Sequence, residues 1–245
     1  MGGSMRLGCI ISSFASVIFF IIIGLFILPA FIVYTLFYLF EEYPQDRFQY
    51  FSSIVYKIFF AFMPKLKLEM NLLKDLPESA IYISTHQSNL DYPILGYFIK
   101  RHLIMTTLNF KKIPFISQIG HLLGIRYLDK NNLGQINNIY REFEQTLQKD
   151  RNVVFFVEGT RGNGKKLGRF KKGAFRLAKK TNKPIIPIII NGSGNILSKG
   201  NFCFSKTKDA NIKVKMLKAI DPNKFLNEND MLKYTYNIMS ESCQK

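Results

Sequence analysis

From Leu66 onward, short apolar runs alternate with helical patterns, and this alternation limits the possible folds more than any other feature of the chain. Short apolar runs bounded by turn residues suit buried strands, and the helical stretches between them supply the crossovers that parallel strands require. The strand candidates are Leu66–Met70, Ala80–Ile83, Leu103–Thr106, Ile125–Leu128, Val153–Val157, Ile185–Ile190 and Ile212–Met216. The helix candidates are Tyr92–Ile99, Phe115–Leu123, Leu133–Lys149, Lys171–Lys180 and Asn227–Glu241. The expected fold is therefore α/β, a mixed and largely parallel sheet flanked by helices.

The N-terminal stretch has a different texture. Cys9 to Phe40 is almost wholly apolar and aromatic, interrupted by Gly24 and Pro29 and closed by Glu41 and Glu42. About 20 residues suffice to cross a hydrocarbon core of roughly 30 Å, so this run is long enough for one tilted helix or for a bend near Pro29 and re-entry. It is too long for a cleaved signal peptide and lacks a polar cleavage region. From Arg47 to Met63, Phe48, Phe51, Ile54, Val55, Ile58, Phe59 and Phe62 recur at helical spacing. A core helix and an interfacial helix both fit that stripe. Residues 1–63 are thus expected to form an apolar helical membrane anchor, and residues 64–245 the α/β domain.

Arg6 is the single basic residue before Glu41, although the whole chain carries a net charge of +17. The positive charge belongs to the polar part, which places that part on the cytoplasmic side of a membrane by the positive-inside tendency and points to anionic partners. Charge by itself does not choose between phospholipid headgroups, phosphorylated metabolites, an acidic carrier protein and nucleic acid. The basic residues come with no nucleic-acid-binding motif, so nucleic acid is not expected as a partner. Cys9, Cys203 and Cys243 are widely separated, with neither metal-ligand spacing nor a disulfide framework, and no metal is expected.

Chemistry concentrates at two strand ends. After Ala80–Ile83 comes Ser84-Thr85-His86-Gln87-Ser88-Asn89-Leu90-Asp91, a polar turn opening a helix. Histidine takes and returns protons near neutral pH, and a carboxylate accepting from one ring nitrogen leaves the other free to act as a base. Five positions amount to about 140° around a helix, so the two side chains meet only if a turn folds Asp91 back onto His86. On these residues alone two readings stay open: Asp91 as the cap of a helix, or His86 and Asp91 as a catalytic pair.

The second strand end is Val153–Val157, which delivers Glu158-Gly159-Thr160-Arg161. The guanidinium of Arg161 suits a phosphate, Gly159 admits close approach of backbone N–H groups, and Thr160 adds a hydroxyl. A glycine-rich basic stretch follows from Gly162 to Gly173. In open α/β sheets ligands bind beyond the carboxyl ends of strands, so both clusters are expected to face one substrate.

Taken together and in order, these residues resemble the glycerolipid acyltransferases typified by 1-acylglycerol-3-phosphate acyltransferase. His86-x4-Asp91 is similar to the first block of that family, and Gly124-Ile125-Arg126-Tyr127-Leu128-Asp129-Lys130 to the second. Phe156-Val157-Glu158-Gly159-Thr160-Arg161 is similar to the third and Pro184-Ile185-Ile186-Pro187-Ile188 to the fourth. The resemblance runs from about Leu66 to Ile220. Three positions depart from it: Thr85 where the family usually has Asn, Val157 where Pro commonly precedes the Glu, and Lys130 in place of a frequent Arg.

The resemblance implies transfer of a fatty acyl group from coenzyme A or acyl carrier protein to a lysophospholipid hydroxyl, with lysophosphatidic acid as the first-choice acceptor. His86 and Asp91 would be catalytic, Glu158, Gly159, Thr160, Arg161 and Lys130 would bind substrate, and the acyl thioester would be a co-substrate, with no further cofactor. Membrane phospholipid completes the expected partners. The alternatives are an acyltransferase for a different lysolipid, or a catalytically inactive protein that binds anionic lipid at a membrane. His102 and His121 are expected to be packing or surface residues.

Overall fold

A computed structural model describes residues 43–63, 66–108, 119–162, 166–197 and 210–243. Helix α1 (Pro44–Phe62) comes first. Strands β1 (Leu66–Asn71) and β2 (Ile81–Ser84), helix α2 (Asp91–Phe98), and strands β3 (His102–Thr107) and β4 (Ile125–Leu128) follow. Then come helix α3 (Leu133–Gln148), strand β5 (Asn152–Phe156), helix α4 (Gly173–Thr181), strand β6 (Ile185–Asn191), the short α5 (Ser193–Ile196), strand β7 (Ala210–Met216) and helix α6 (Glu228–Cys243).

All seven expected strands are present, and they form one sheet in the order β1-β7-β6-β2-β5-β3-β4. Every pairing is parallel except β6 with β7, so the β1–β7 pair runs against a five-stranded parallel body. The sheet is mixed and largely parallel, with helices on both faces. Residues Phe115 to Gln118 of one expected helix lie outside the described residues, as do Cys9 to Phe40. Among the described residues no helix is long and apolar enough to cross a membrane.

Side-chain alternation on the central strands divides the core in two. Ile81, Ile83, Val153, Phe155, Ile185 and Ile189 pack against Phe143 and Leu147 of α3, Phe175 and Leu177 of α4, and Met231 and Met239 of α6. Tyr82, Val154, Ile186, Ile188 and Ile190 pack on the other face with Phe48 and Phe60 of α1 and Ile94 and Leu95 of α2. Burial on both faces is why these strands read as unbroken apolar runs.

Helix α1 presents a mixed polar and apolar face to the core. Its buried face carries Phe48 and Phe60 but also Gln49, Ser52 and Ser53, while Phe51, Ile54, Ile58 (51% exposed) and Phe62 (83%) face outward. The buried polar groups are satisfied. The Gln49 side chain donates to the His102 carbonyl at 2.7 Å and accepts the His102 N–H at 2.9 Å, and Ser52 donates to the Phe48 carbonyl. Asp46 pairs with the buried guanidinium of Arg151, just ahead of β5. Hence α1 is fastened to the start of β3 and of β5 by polar contacts and leaves much of its apolar stripe exposed.

Candidate active site

In parallel strands β2 and β5, Ser84 is in register with Phe156, so the segments that follow leave the sheet side by side. Backbone bonds extend that pairing past the strand ends. Val157 N–H donates to the Ser84 carbonyl at 3.1 Å, and Gly162 N–H donates to the His86 carbonyl at 2.7 Å. The turn after β2 and the turn after β5 are therefore bonded to each other.

Asp91 is the first residue of α2, and its carboxylate turns back toward the strand. One oxygen, Oδ2, accepts from His86 Nδ1 at 2.8 Å, Gln87 N–H at 2.6 Å and Ser88 N–H at 2.8 Å. Asp91 is fully buried, whereas the His86 side chain keeps 17% of its surface exposed. The helix-cap reading does not hold, because Leu90 takes the N-cap position with no side-chain cap bond; the Asp91 oxygen instead closes the turn through two backbone donors and orients the imidazole through a third. With Nδ1–H donated to Asp91, Nε2 carries the lone pair that can accept a proton. The imidazole lies flat on the Phe156 ring, with centroids 3.8 Å apart and planes 13° from parallel.

Strand β6 walls the other side. Thr85 Oγ1 donates to the Ile190 carbonyl at 3.1 Å and accepts the Ile190 N–H at 2.8 Å. Gln87 Nε2 reaches the Ile190 carbonyl at 3.0 Å and Asn191 Oδ1 at 3.3 Å, and its Oε1 accepts the Gly192 N–H. Gly192 has φ of 91°, and a β-carbon there would meet the Asn211 carbonyl oxygen at 2.1 Å, so both backbone and space demand glycine.

The second cluster divides. Arg161 Nη1 donates to Asn89 Oδ1 at 3.1 Å, which ties the guanidinium to the turn carrying His86. Glu158 is 6% exposed, and its Oε2 accepts the Gly168 N–H at 2.7 Å. A β-carbon at Gly168 would lie 2.6 Å from that oxygen, so the Gly168 backbone sits tightly against the carboxylate. Gly159, with φ of 67°, makes a tight turn through its N–H to the Phe156 carbonyl, and Gly159 and Thr160 are exposed on the outside of that turn.

Thr85, His86, Gln87, Glu158, Gly162, Lys166, Leu167, Asn191 and Cys243 line one open cleft. Gly159, Thr160 and Arg161 are not among them, and neither is Lys130. It is exposed at the end of β4, and the sheet order sets β5 and β3 between β4 and β2, a separation of about 14 Å at usual strand spacing. Burial and the nearby charge of Glu158 both push the Cys243 thiol up. His102 sits in the core at the start of β3 and His121 on the surface, and neither lines the cleft.

The residues not anticipated from sequence as part of the site are Thr85, Gln87, Asn89, Phe156, Gly162, Lys166, Leu167, Asn191 and Cys243. Gln87 and Asn89 lie inside the His86–Asp91 turn, where their polar side chains were an available signal. Asn191 and Cys243 arrive from β6 and from the end of α6, and nothing local marks them.

An acyltransferase family model matches residues 67–191, just over half of the chain and including both turns. The chain is 33% identical over 141 residues to a chloroplast 1-acyl-sn-glycerol-3-phosphate acyltransferase of Arabidopsis thaliana, covering 56% of this chain and 40% of that protein. It is 26% identical over 182 residues to the enzyme of the same name from Haemophilus influenzae, covering 72% of this chain and 74% of that one. The match to the Escherichia coli protein of that name is 30% over 151 residues and spans 59% of its length. In fold, the chain is similar to the crystal structure of the 1-acyl-sn-glycerophosphate acyltransferase of Thermotoga maritima. The TM-score is 0.79 at 20% identity, over 98% of this chain and 96% of that one. On the strength of that family match, the chain belongs to the acyltransferase family.

Proposed function

We propose that this protein transfers a fatty acyl group from an acyl thioester to the free hydroxyl of a lysophospholipid, with 1-acylglycerol-3-phosphate as acceptor and phosphatidic acid as product. The observation that carries the reading is the 2.8 Å bond between His86 Nδ1 and a fully buried Asp91, in a turn that Arg161 also contacts. Relatives named as 1-acyl-sn-glycerol-3-phosphate acyltransferases support the choice of acceptor.

The geometry supports the following chemistry. His86 Nε2 takes the acceptor hydroxyl proton as the oxygen attacks the thioester carbonyl carbon, and the buried Asp91 carboxylate stabilises the imidazolium that forms. The tetrahedral intermediate collapses with cleavage of the carbon–sulfur bond, and the imidazolium returns its proton to the departing thiolate. Direct attack needs no enzyme nucleophile, so donor and acceptor bind together. Lys166 in the cleft lining, and Arg161 on the turn that contacts the one carrying His86, supply positive charge for the acceptor phosphate. Coenzyme A or acyl carrier protein carries the acyl group. The protein works at a membrane, with the catalytic domain on the cytoplasmic side. The apolar Cys9–Phe40 run and the exposed stripe of α1 support the membrane contact, and the positive charge of the polar part supports the cytoplasmic side.

The test is to incubate the purified full chain with radiolabelled acyl-coenzyme A or acyl carrier protein and a panel of lysolipids, following product and free thiol. Labelled phosphatidic acid from 1-acylglycerol-3-phosphate is expected, and His86→Ala should lose about 10²- to 10⁴-fold in turnover. Thiol release with none of the pairs would end the reading. Wild-type-like turnover by His86→Ala would remove His86 as the base.

A further inference from the structure

The hydrogen bond from His86 to Asp91 constrains one edge of the imidazole and no more. A ring held through a single nitrogen still tilts about that contact, and tilt moves Nε2 sideways relative to the proton it must take. The Phe156 ring meets the whole face of the imidazole at a centroid distance of 3.8 Å and an angle of 13°. Its place there is set by the sheet, because Phe156 is paired in register with Ser84, two residues before His86.

We infer that Phe156 is a positioning residue for His86, fixing the plane of the imidazole while Asp91 fixes its edge. An aromatic face suits the task for two reasons. It is flat and offers no strong acceptor, so it does not compete with Asp91 for Nδ1–H. Its negative face also attracts the cationic ring that forms once the proton has been taken. An aliphatic residue of similar volume would fill the space without that flat, electron-rich face. The inference rests on His86 being the proton acceptor, as argued above.

Two variants and two measurements test it. Phe156→Leu should lower kcat by about tenfold or more, since small misplacements of a reacting group cost large factors, while the KM values for donor and acceptor stay within about twofold. Phe156→Tyr keeps the aromatic face and should restore most of the rate. Independently of turnover, the His86 ring proton between the two nitrogens lies in the ring-current field of Phe156, so its NMR signal should move downfield in Phe156→Leu and stay in Phe156→Tyr. Should Phe156→Leu not fold, Phe156→Met carries the same comparison. A variant lacking the aromatic face that keeps its kcat overturns the inference, and so does one that slows with the His86 signal unmoved. Failure of the proposed activity itself would show as an inactive wild type in which the NMR shift persists.

Discussion

At the residue scale, one carboxylate oxygen organises the site. Asp91 Oδ2 holds three donors, two of them backbone N–H groups of the turn and the third His86. Asp91→Asn keeps the size but removes the charge that favours the imidazolium, and should cost about 10²- to 10⁴-fold in kcat. Asp91→Ala should add a loss of stability, because it strands two turn N–H groups at about 1–3 kcal/mol each, read as a lower thermal midpoint. Two of the three departures from the family pattern also have local reasons. Thr85 presents a hydroxyl that both donates to and accepts from the Ile190 backbone, and Thr85→Val should cost about 1–3 kcal/mol in denaturant unfolding. Val157 has an N–H where proline would have none, and that N–H extends β2–β5 pairing to Ser84.

At the element scale, the informative piece is α1, which turns several polar residues inward and much of its apolar stripe outward. Gln49 stands in for a neighbouring strand by taking both backbone groups of His102. Gln49→Leu should destabilise the fold by about 2 kcal/mol or more, since both groups would be buried without partners. The outward stripe has the opposite signature: replacing Ile58 and Phe62 together with Ser should leave the unfolding free energy within about 1 kcal/mol of wild type, since both side chains are already exposed. The same double variant should reduce co-flotation with anionic phospholipid vesicles; undiminished flotation would remove α1 from the membrane contact. Periodicity located this helix but said nothing of which side faced the core, because Gln, Ser and Phe satisfy a buried face equally well when the polar groups find partners.

For the whole molecule, the sheet sets both stability and site. His102 is buried at the start of β3, and burial, with the nearby Arg151 charge acting in the same sense, pushes it down to about 4. The folded state therefore holds it neutral while the unfolded chain takes a proton below about 6.5. Stability is full above that pH and falls between about 6.5 and 4, by up to about 3 kcal/mol. Unfolding free energies measured from pH 7 to 4 should show a shallower decline in His102→Gln than in wild type.

The amino-acid sequence by itself determined the seven strands, because a strand buried on both faces leaves a continuous apolar run that needs no knowledge of its neighbours. It also determined the chemistry-bearing turns after β2 and β5, whose signals are local in the chain. The tertiary structure alone decided the order β1-β7-β6-β2-β5-β3-β4, which sets the His86 turn beside Arg161 and leaves Lys130 two strands beyond the second turn. It decided too that Phe156 lies under the imidazole and that Asn191 and Cys243 wall the cleft. The physical reason is the same in each case: which strand lies next to which is fixed by packing of distant segments, and no spacing within one segment records it.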